Sequence, residues 1–373
     1  MLDLSAKKID GREQIEHQEV VWRFLSAKDP SPVQQFEWTK ACLETLHADD
    51  KPNLIQVTTQ LANDAIAPLV MRSNGLPRLT FPGSEELSYP MDFLSACPEA
   101  LDHLSRAIVR TGLPMKLSLV PGSSETPDAL RRAYSGRGFV FVRADDSIRN
   151  LSIDDSWVTP EQHMSERQCH NYSRRRRVAE RLGKVSFEAQ VPHSSSVTTL
   201  LTEAMAVEAR SWKGRAGTAL LCDPMMKRFF ERYATLAAER GLLRIFFLRI
   251  GGKAAAMRIA IEHGRHLWLL KTGYDESFKN CSPGFLLIVE CLRYAARRRL
   301  SSIEFLGDKA WPDETPRQHR SHVSIHAYPM SLIGVAVFAA DIAGWAARKL
   351  GRLRQQLSIA FLSQRIAQAS KHA

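Results

Sequence analysis

The stretch from Leu242 to Leu306 constrains the fold more than any other, because it reads as strand, strand, strand, helix, strand. LLRIFFLRI ends at Gly251-Gly252, a pair that can take φ > 0 at both central positions of a two-residue hairpin. In the next strand Ala255, Met257, Ile259 and Ile261 alternate with Ala256, Arg258, Ala260 and Glu262. His263-Gly264 turns the chain into a third strand, RHLWLLKTGYD. The loop ESFKNC then delivers Ser282-Pro283-Gly284 and the apolar run FLLIVECLRYAA. Serine before proline is a helix start: the hydroxyl caps an orphan N–H, and proline has none to leave unpaired. The helix is expected to be buried, with its first turn facing the end of the third strand. Two readings stand for that turn, an anion site built on free N–H groups and helix dipole, or an ordinary capped core helix.

Charge is localised. Arg174 to Lys184 holds six basic residues against Glu180, and residues 331–373 hold six against Asp341, which together account for nearly all of the net +11. A DNA-binding protein would spread basic residues over a face with aromatics between them, so no DNA partner is expected. The six cysteines are scattered with no C-x-x-C, which suits a reducing compartment rather than a disulfide framework or thiolate zinc site. The first residues carry acids throughout and no apolar core of signal-peptide length, so the expected location is the cytoplasm.

The 373 residues divide into four parts. Residues 1–30 read as a polar lead-in. Residues 31–151 alternate helices and strands, including VQQFEWTKACLETL, EALDHLSRAIVRTG, MKLSLV and FVFVRA. Residues 152–330 open with a helix predicted from Thr159-Pro160 to Gly183 and close with SSIEFLG, a proline-broken loop and the strand VSIHAY. Residues 331–373 hold an apolar segment interrupted by Asp341, then RKLGRLRQQLSIAFLSQRI, an amphipathic pattern. Two readings stand for this tail: docking on protein, or lying in the plane of an anionic membrane face as a peripheral contact. The apolar segment is shorter than the ~20 residues that span a bilayer.

Five groups of residues, in order, carry a family resemblance: Glu208 with Ser211-Trp212-Lys213-Gly214; Lys271-Thr272-Gly273-Tyr274-Asp275; Ser282-Pro283-Gly284; Phe305-Leu306-Gly307-Asp308; and the basic helix Tyr172–Leu182. The chain resembles the CelD-type, BioF-like acetyltransferase-domain proteins of the GNAT superfamily, near the FemABX-like aminoacyltransferases. The resemblance implies an α/β fold of tandem GNAT-like modules with mixed α+β sheets, the helical tail following. It also implies transfer of an acyl group, with acetyl-CoA or another acyl-CoA as co-substrate and a small-molecule or glycan acceptor. Members are associated with exopolysaccharide or cell-envelope synthesis. A Fem-like transferase using aminoacyl-tRNA is the alternative, and a non-catalytic scaffold is a third reading.

Direct transfer needs an unprotonated nucleophile, a polarised carbonyl and a proton for the leaving group. The resemblance assigns the carbonyl and donor contacts to Lys271, Thr272, Gly273, Lys279, Ser282, Pro283 and Gly284. Glu208 and Asp275 are candidate bases and Tyr274 a proton donor; Trp212, Lys213 and Asp308 are candidates for the acceptor pocket. For these residues a turn, salt-bridge or packing role is the alternative. Two departures from the family pattern stand out. The loop before the helix has one glycine, Gly284, where GNAT enzymes usually carry several, and Trp311 is followed by Pro312 rather than lysine. His319, His322 and His326 lack an acidic ligand series, so no metal is expected. No G-x-S-x-G, Walker lysine loop or Rossmann fingerprint is present.

Overall fold

The computed structural model describes residues 5–58, 64–72, 75–306, 318–347 and 349. Asp308, Trp311, Pro312 and the amphipathic segment from 350 onward lie outside the described residues. The first half runs β1 (Ser5–Ile9), α1 (Arg12–Glu16), α2 (Glu19–Ser26), α3 (Phe36–Glu44), β2 (Lys51–Pro52), β3 (Leu54–Thr58), β4 (Ala65–Ala67) and β5 (Val70–Met71). It continues with β6 (Leu79–Thr80), α4 (Ser84–Leu87), β7 (Leu94–Ser95), α5 (Pro98–Arg110), β8 (Met115–Pro121), α6 (Thr126–Tyr134) and β9 (Gly138–Ala144). The expectation of a polar lead-in is corrected here. Ile9, Ile15 and Trp22 are buried against Phe36, Leu43 and Leu54, and β1 pairs antiparallel with β3. Three apolar side chains in a charged stretch are enough to dock it.

The second half runs β10 (Ile148–Ser152), α7 (Glu166–Leu182), β11 (Val185–Gln190), α8 (Val197–Ala209), α9 (Trp212–Arg215), α10 (Pro224–Glu239) and β12 (Leu243–Ile250). Then come β13 (Lys253–His263), β14 (His266–Tyr274), α11 (Pro283–Arg297), β15 (Ser302–Phe305), β16 (Gln318–Arg320) and β17 (His322–Pro329). The helix predicted from Thr159 starts later, at Glu166. Ser165 accepts from the Gln168 N–H while the Gln168 side chain accepts from the Ser165 N–H; this reciprocal capping box fixes the start more firmly than Thr159-Pro160. The hairpin at Gly251-Gly252 is as expected, with φ of 57° and 81°.

The strands form a four-stranded sheet β1-β3-β4-β7, a six-stranded sheet β2-β5-β6-β8-β17-β9 and a seven-stranded sheet β11-β12-β13-β14-β15-β10-β16. Each larger sheet has a parallel pair, β6 with β8 and β14 with β15, and each pair is bridged by a connection that carries a helix, as parallel neighbours require. This repeat is the tandem mixed-sheet architecture. The second half also lends a strand to the first: β17 lies between β8 and β9, while β10 stays with its own half between β15 and β16.

One shared core fills the space between the halves. Trp38 of α3 packs edge-on against Phe229 and Tyr233 of α10, with ring centroids 5.1 and 5.0 Å apart. On the other face of the seven-stranded sheet, α11 and α7 cover Leu267, Leu269 and Ile303. Strand β13 is therefore buried on both faces, its alanines admitting α11 on one side and its larger residues meeting α8 and α10 on the other. A further helix spans 332–347 and packs Phe338 on Phe139 and Phe141.

Candidate functional site

The site begins where β14 and β15 part. Their parallel pairing covers His266–Leu269 against Ser302–Phe305, and the Leu306 N–H donates to the Leu269 carbonyl at 3.2 Å. Strand β14 continues to Tyr274, so beyond Leu269 its edge on that side has no strand partner among the described residues. On the other side a register shift against β13 leaves Leu270 unmatched. Its carbonyl accepts instead from the Tyr89 hydroxyl, at 2.9 Å and buried. A cavity of about 130 Å³ sits in this opening, bounded by Leu87, Tyr89, Lys213, Arg258, Lys271 and Leu306.

Helix α8 approaches β14 closely because Gly273 has no side chain. A Cβ there would stand 2.7 Å from Glu208 Cα, too short for a contact with backbone. Glu208 is 1% exposed and its carboxylate is fully engaged: Oε1 accepts from Lys213 Nζ at 2.9 Å and Oε2 from the Leu220 N–H at 2.9 Å. Lys213 Nζ also donates to the Thr272 carbonyl at 2.7 Å, which ties α8, α9 and β14 together. Trp212, beside it, is half exposed. Lys271 faces the opposite condition. Burial pulls its pKa below the usual lysine range, only partly offset by the more distant Glu208, and its ammonium lies 5.1 Å from the centre of the Phe230 ring.

The loop leaving β14 is held by Asp275, whose Oδ1 accepts from the Ser277 N–H at 2.9 Å and from its hydroxyl at 2.7 Å. Its Oδ2 accepts from Arg210 Nε at 2.6 Å. Although burial acts to raise it, these hydrogen bonds and the guanidinium hold its pKa below the usual carboxylate range. Asp275 thus caps a turn and pairs with Arg210. Ser282 departs from expectation. It takes a left-handed conformation, φ 48° and ψ 62°, and its hydroxyl makes no capping bond, so the first-turn N–H of Gly284 is not covered by that side chain. The nearest heavy atom to a Cβ placed on Gly284 is Tyr274 Cδ1, at 3.8 Å. Pro283 is buried and Lys279 exposed.

From α7, the Arg175 guanidinium lies 4.8 Å from the centre of the Phe285 ring, at the same helix start. Its charge is disfavoured first by burial and then by Arg174, conditions that an anion would relieve. The residues at the start of α11 therefore fit a phosphate group: a helix N-terminus without a side-chain cap, one open glycine position and nearby basic side chains.

A larger cavity, about 670 Å³, lies between the halves, with Trp268 in its wall. Asp29, Asp92, Trp268, Glu304, Arg320 and His322 are among its lining. Burial raises the pKa of Asp92 to about 6, against hydrogen bonds from Ser124, Thr126 and the Phe93 N–H. Glu304 is fully buried, with Oε1 3.1 Å from Arg320, while Glu304 Oε2, Trp268 Nε1 and His322 Nδ1 are buried without a hydrogen-bond partner among the described residues. Unmatched acceptor and donor atoms around one cavity are costly unless a bound molecule or water meets them.

The structure thus brings Glu208, Lys213, Lys271, Thr272 and Gly273 to one opening, and Tyr274, Ser282, Pro283 and Gly284 to the helix start beside it. Sequence reasoning missed Tyr89, because nothing in its proline-flanked segment marks a contact with a strand about 180 residues later. Arg258 carried a readable signal, a lone arginine in an apolar strand. The acidic lining of the larger cavity comes from three distant segments and carried none.

Residues 166–314 match the family model described as Acetyltransferase (GNAT) domain. No curated protein matches the chain in sequence. Among solved structures, the C-terminal domain (DUF2156) of a putative lysylphosphatidylglycerol synthetase from Agrobacterium fabrum aligns over 88% of this chain and 96% of its own, with 10% identity and a TM-score of 0.50. FemX aligns over 87% of this chain and 97% of its own, with 12% identity and a TM-score of 0.50. At such identities the likeness speaks for the fold alone. Residues 166–314, about two fifths of the chain, are thus similar to a GNAT domain, and the chain as a whole has a mixed α/β fold similar to that of FemX.

Proposed function

We propose that this chain transfers an acyl group from acyl-CoA, with acetyl-CoA the first donor to try, to an amine or hydroxyl of a small-molecule or glycan acceptor. The observation that carries this reading is the opening beyond Leu269, lined by a lysine of lowered pKa on the strand that ends at Tyr274, whose ring lies beside the start of α11. The donor's phosphates are assigned to the Gly284 N–H, with Arg175 and Lys279 as counter-charges. The free edge of β14 offers backbone donors to the acyl carbonyl, where charge develops in the transition state. Lys271 in its neutral form accepts the proton of the attacking group, since burial brings its pKa toward the working range of a base. Tyr274, with its ring beside Gly284, is placed to return a proton to the leaving thiolate.

Glu208 and Asp275 take positioning roles in this scheme. Both carboxylates are already engaged, one holding Lys213 against β14 and the other the loop before α11. The acceptor's reacting group is assigned to the opening beside Lys271, and the rest of an acceptor with hydroxyl and amino groups to the larger cavity, whose buried carboxylates and unmatched indole N–H suit it. The resemblance to CelD-type proteins directs that acceptor toward exopolysaccharide or cell-envelope glycans.

A second reading rests on α7, where Arg174, Arg177 and Arg181 are exposed near Arg175. That row suits the backbone of an aminoacyl-tRNA donor. Calorimetric titration with acetyl-CoA, longer acyl-CoAs and aminoacyl-tRNA separates the two. Saturable acyl-CoA binding supports the leading reading. Salt-dependent tRNA binding, lost in Arg174→Glu/Arg177→Glu, together with silence toward every CoA, replaces it.

A further inference from the structure

The helix over 332–347 carries apolar residues on its outward face as well as on the face that docks. Its inward face is secured. Ser331 Oγ accepts from the Gly334 N–H at 3.0 Å and donates to the Gly112 carbonyl at 2.6 Å. Val337 is buried and Phe338 stacks on Phe139 and Phe141. Asp341, the one charged residue in this helix, also points inward, where it pairs with Arg78 at 3.0 Å and accepts from the Tyr328 hydroxyl at 2.7 Å.

The outward face is Leu332, Val335, Ala336, Ala339, Ile342 and Ala343, spaced at the three- and four-residue steps of one helix face. Leu332 is 94% exposed, Val335 58% and Ile342 50%. Trp345, beside this stripe, is 48% exposed, and Lys349 stands over its ring at 5.1 Å. An aromatic with a polar tip next to a lysine is a pairing suited to the boundary between lipid tails and headgroups. Soluble surfaces seldom leave an apolar stripe of this length uncovered.

We infer that the outward face of the 332–347 helix lies in the plane of a membrane surface rich in anionic lipid. Charge selects this occupant over a second copy of the chain. Residues 348–373 carry Arg348, Lys349, Arg352, Arg354, Arg365 and Lys371 and no acid. Two copies meeting on this helix would bring these like charges together, whereas anionic headgroups neutralise them. Residues 332–347 are about 24 Å long at 1.5 Å per residue, short of the ~30 Å hydrocarbon layer, and no helix among the described residues is long and apolar enough to cross a membrane.

The test is co-sedimentation of the full chain with vesicles of phosphatidylcholine alone and of phosphatidylcholine mixed with phosphatidylglycerol. Binding to the mixed vesicles alone, weakened by salt, is the expected result. Leu332→Asn/Ile342→Asn changes only outward side chains and should lower the partition by about tenfold per side chain. Arg352→Glu/Arg354→Glu, which leaves the apolar face intact, should release the protein from the anionic vesicles as well. No sedimentation with either lipid, equal binding to both, or unchanged binding of the two double variants overturns the inference. So does a dimer in analytical ultracentrifugation that Leu332→Asn/Ile342→Asn dissolves.

Discussion

Replacing Lys213 by methionine removes the one cation that meets Glu208 Oε1 inside the protein. The carboxylate is 1% exposed and would keep only the Leu220 N–H, at 2.9 Å, as partner. Breaking a buried pair from one side costs ~3–5 kcal/mol. The Lys213 side chain is itself 21% exposed, so water can reach its vacated place and about 2–3 kcal/mol is the better expectation. Lost contact between Lys213 and the Thr272 carbonyl, 2.7 Å, is included in that range. Urea denaturation should show the loss as a lower midpoint with an unchanged slope. Adding Glu208→Gln should recover most of the loss, a coupling of about 2 kcal/mol. A loss below about 0.5 kcal/mol refutes the reasoning.

Three further outcomes follow from the same geometry. Lys271→Met should lower transfer rate by about 100-fold or more while leaving stability equal or higher, since a disfavoured buried charge is removed; rate and urea midpoint are the readouts. Asp92, with a pKa raised to about 6 by burial, makes the protein lose stability as pH rises from about 4 to 6, by at most ~3 kcal/mol, and Asp92→Asn should flatten that part of the stability profile. Gly273→Ala should destabilise by about 1–3 kcal/mol or more, because its Cβ meets Glu208 Cα at 2.7 Å; an unchanged thermal midpoint contradicts the close approach of α8 to β14.

Much of the fold was legible because local signals agreed with tertiary structure. The Gly251-Gly252 turn, the alternation after it and the proline-started helix α11 fixed the meander and its crossover. The placement of β17 in the first half's sheet was not legible, since His322–Pro329 reads equally well in either sheet. The start of α7 was misjudged because a threonine-proline pair resembles a cap, whereas the Ser165–Gln168 box satisfies two donors at once. For the site, the order Glu208, Lys213, Lys271–Asp275, Pro283-Gly284 did mark residues that gather at and beside one opening. Their states were hidden. Burial, Arg210 and the Leu220 N–H decide whether a carboxylate is free or engaged, and these depend on contacts made across the fold.

The most direct test of the proposed donor site is calorimetric titration of acetyl-CoA into the wild type and Gly284→Glu. The substitution has room, with 3.8 Å to the nearest heavy atom, and a glutamate in the first turn complements the helix dipole, so the fold should hold. It also places a negative charge where the donor phosphates are assigned. The account predicts wild-type binding that weakens at least about tenfold in the variant, equivalent to ~1.4 kcal/mol or more. Equal affinity in the two proteins, or no binding by the wild type, contradicts it.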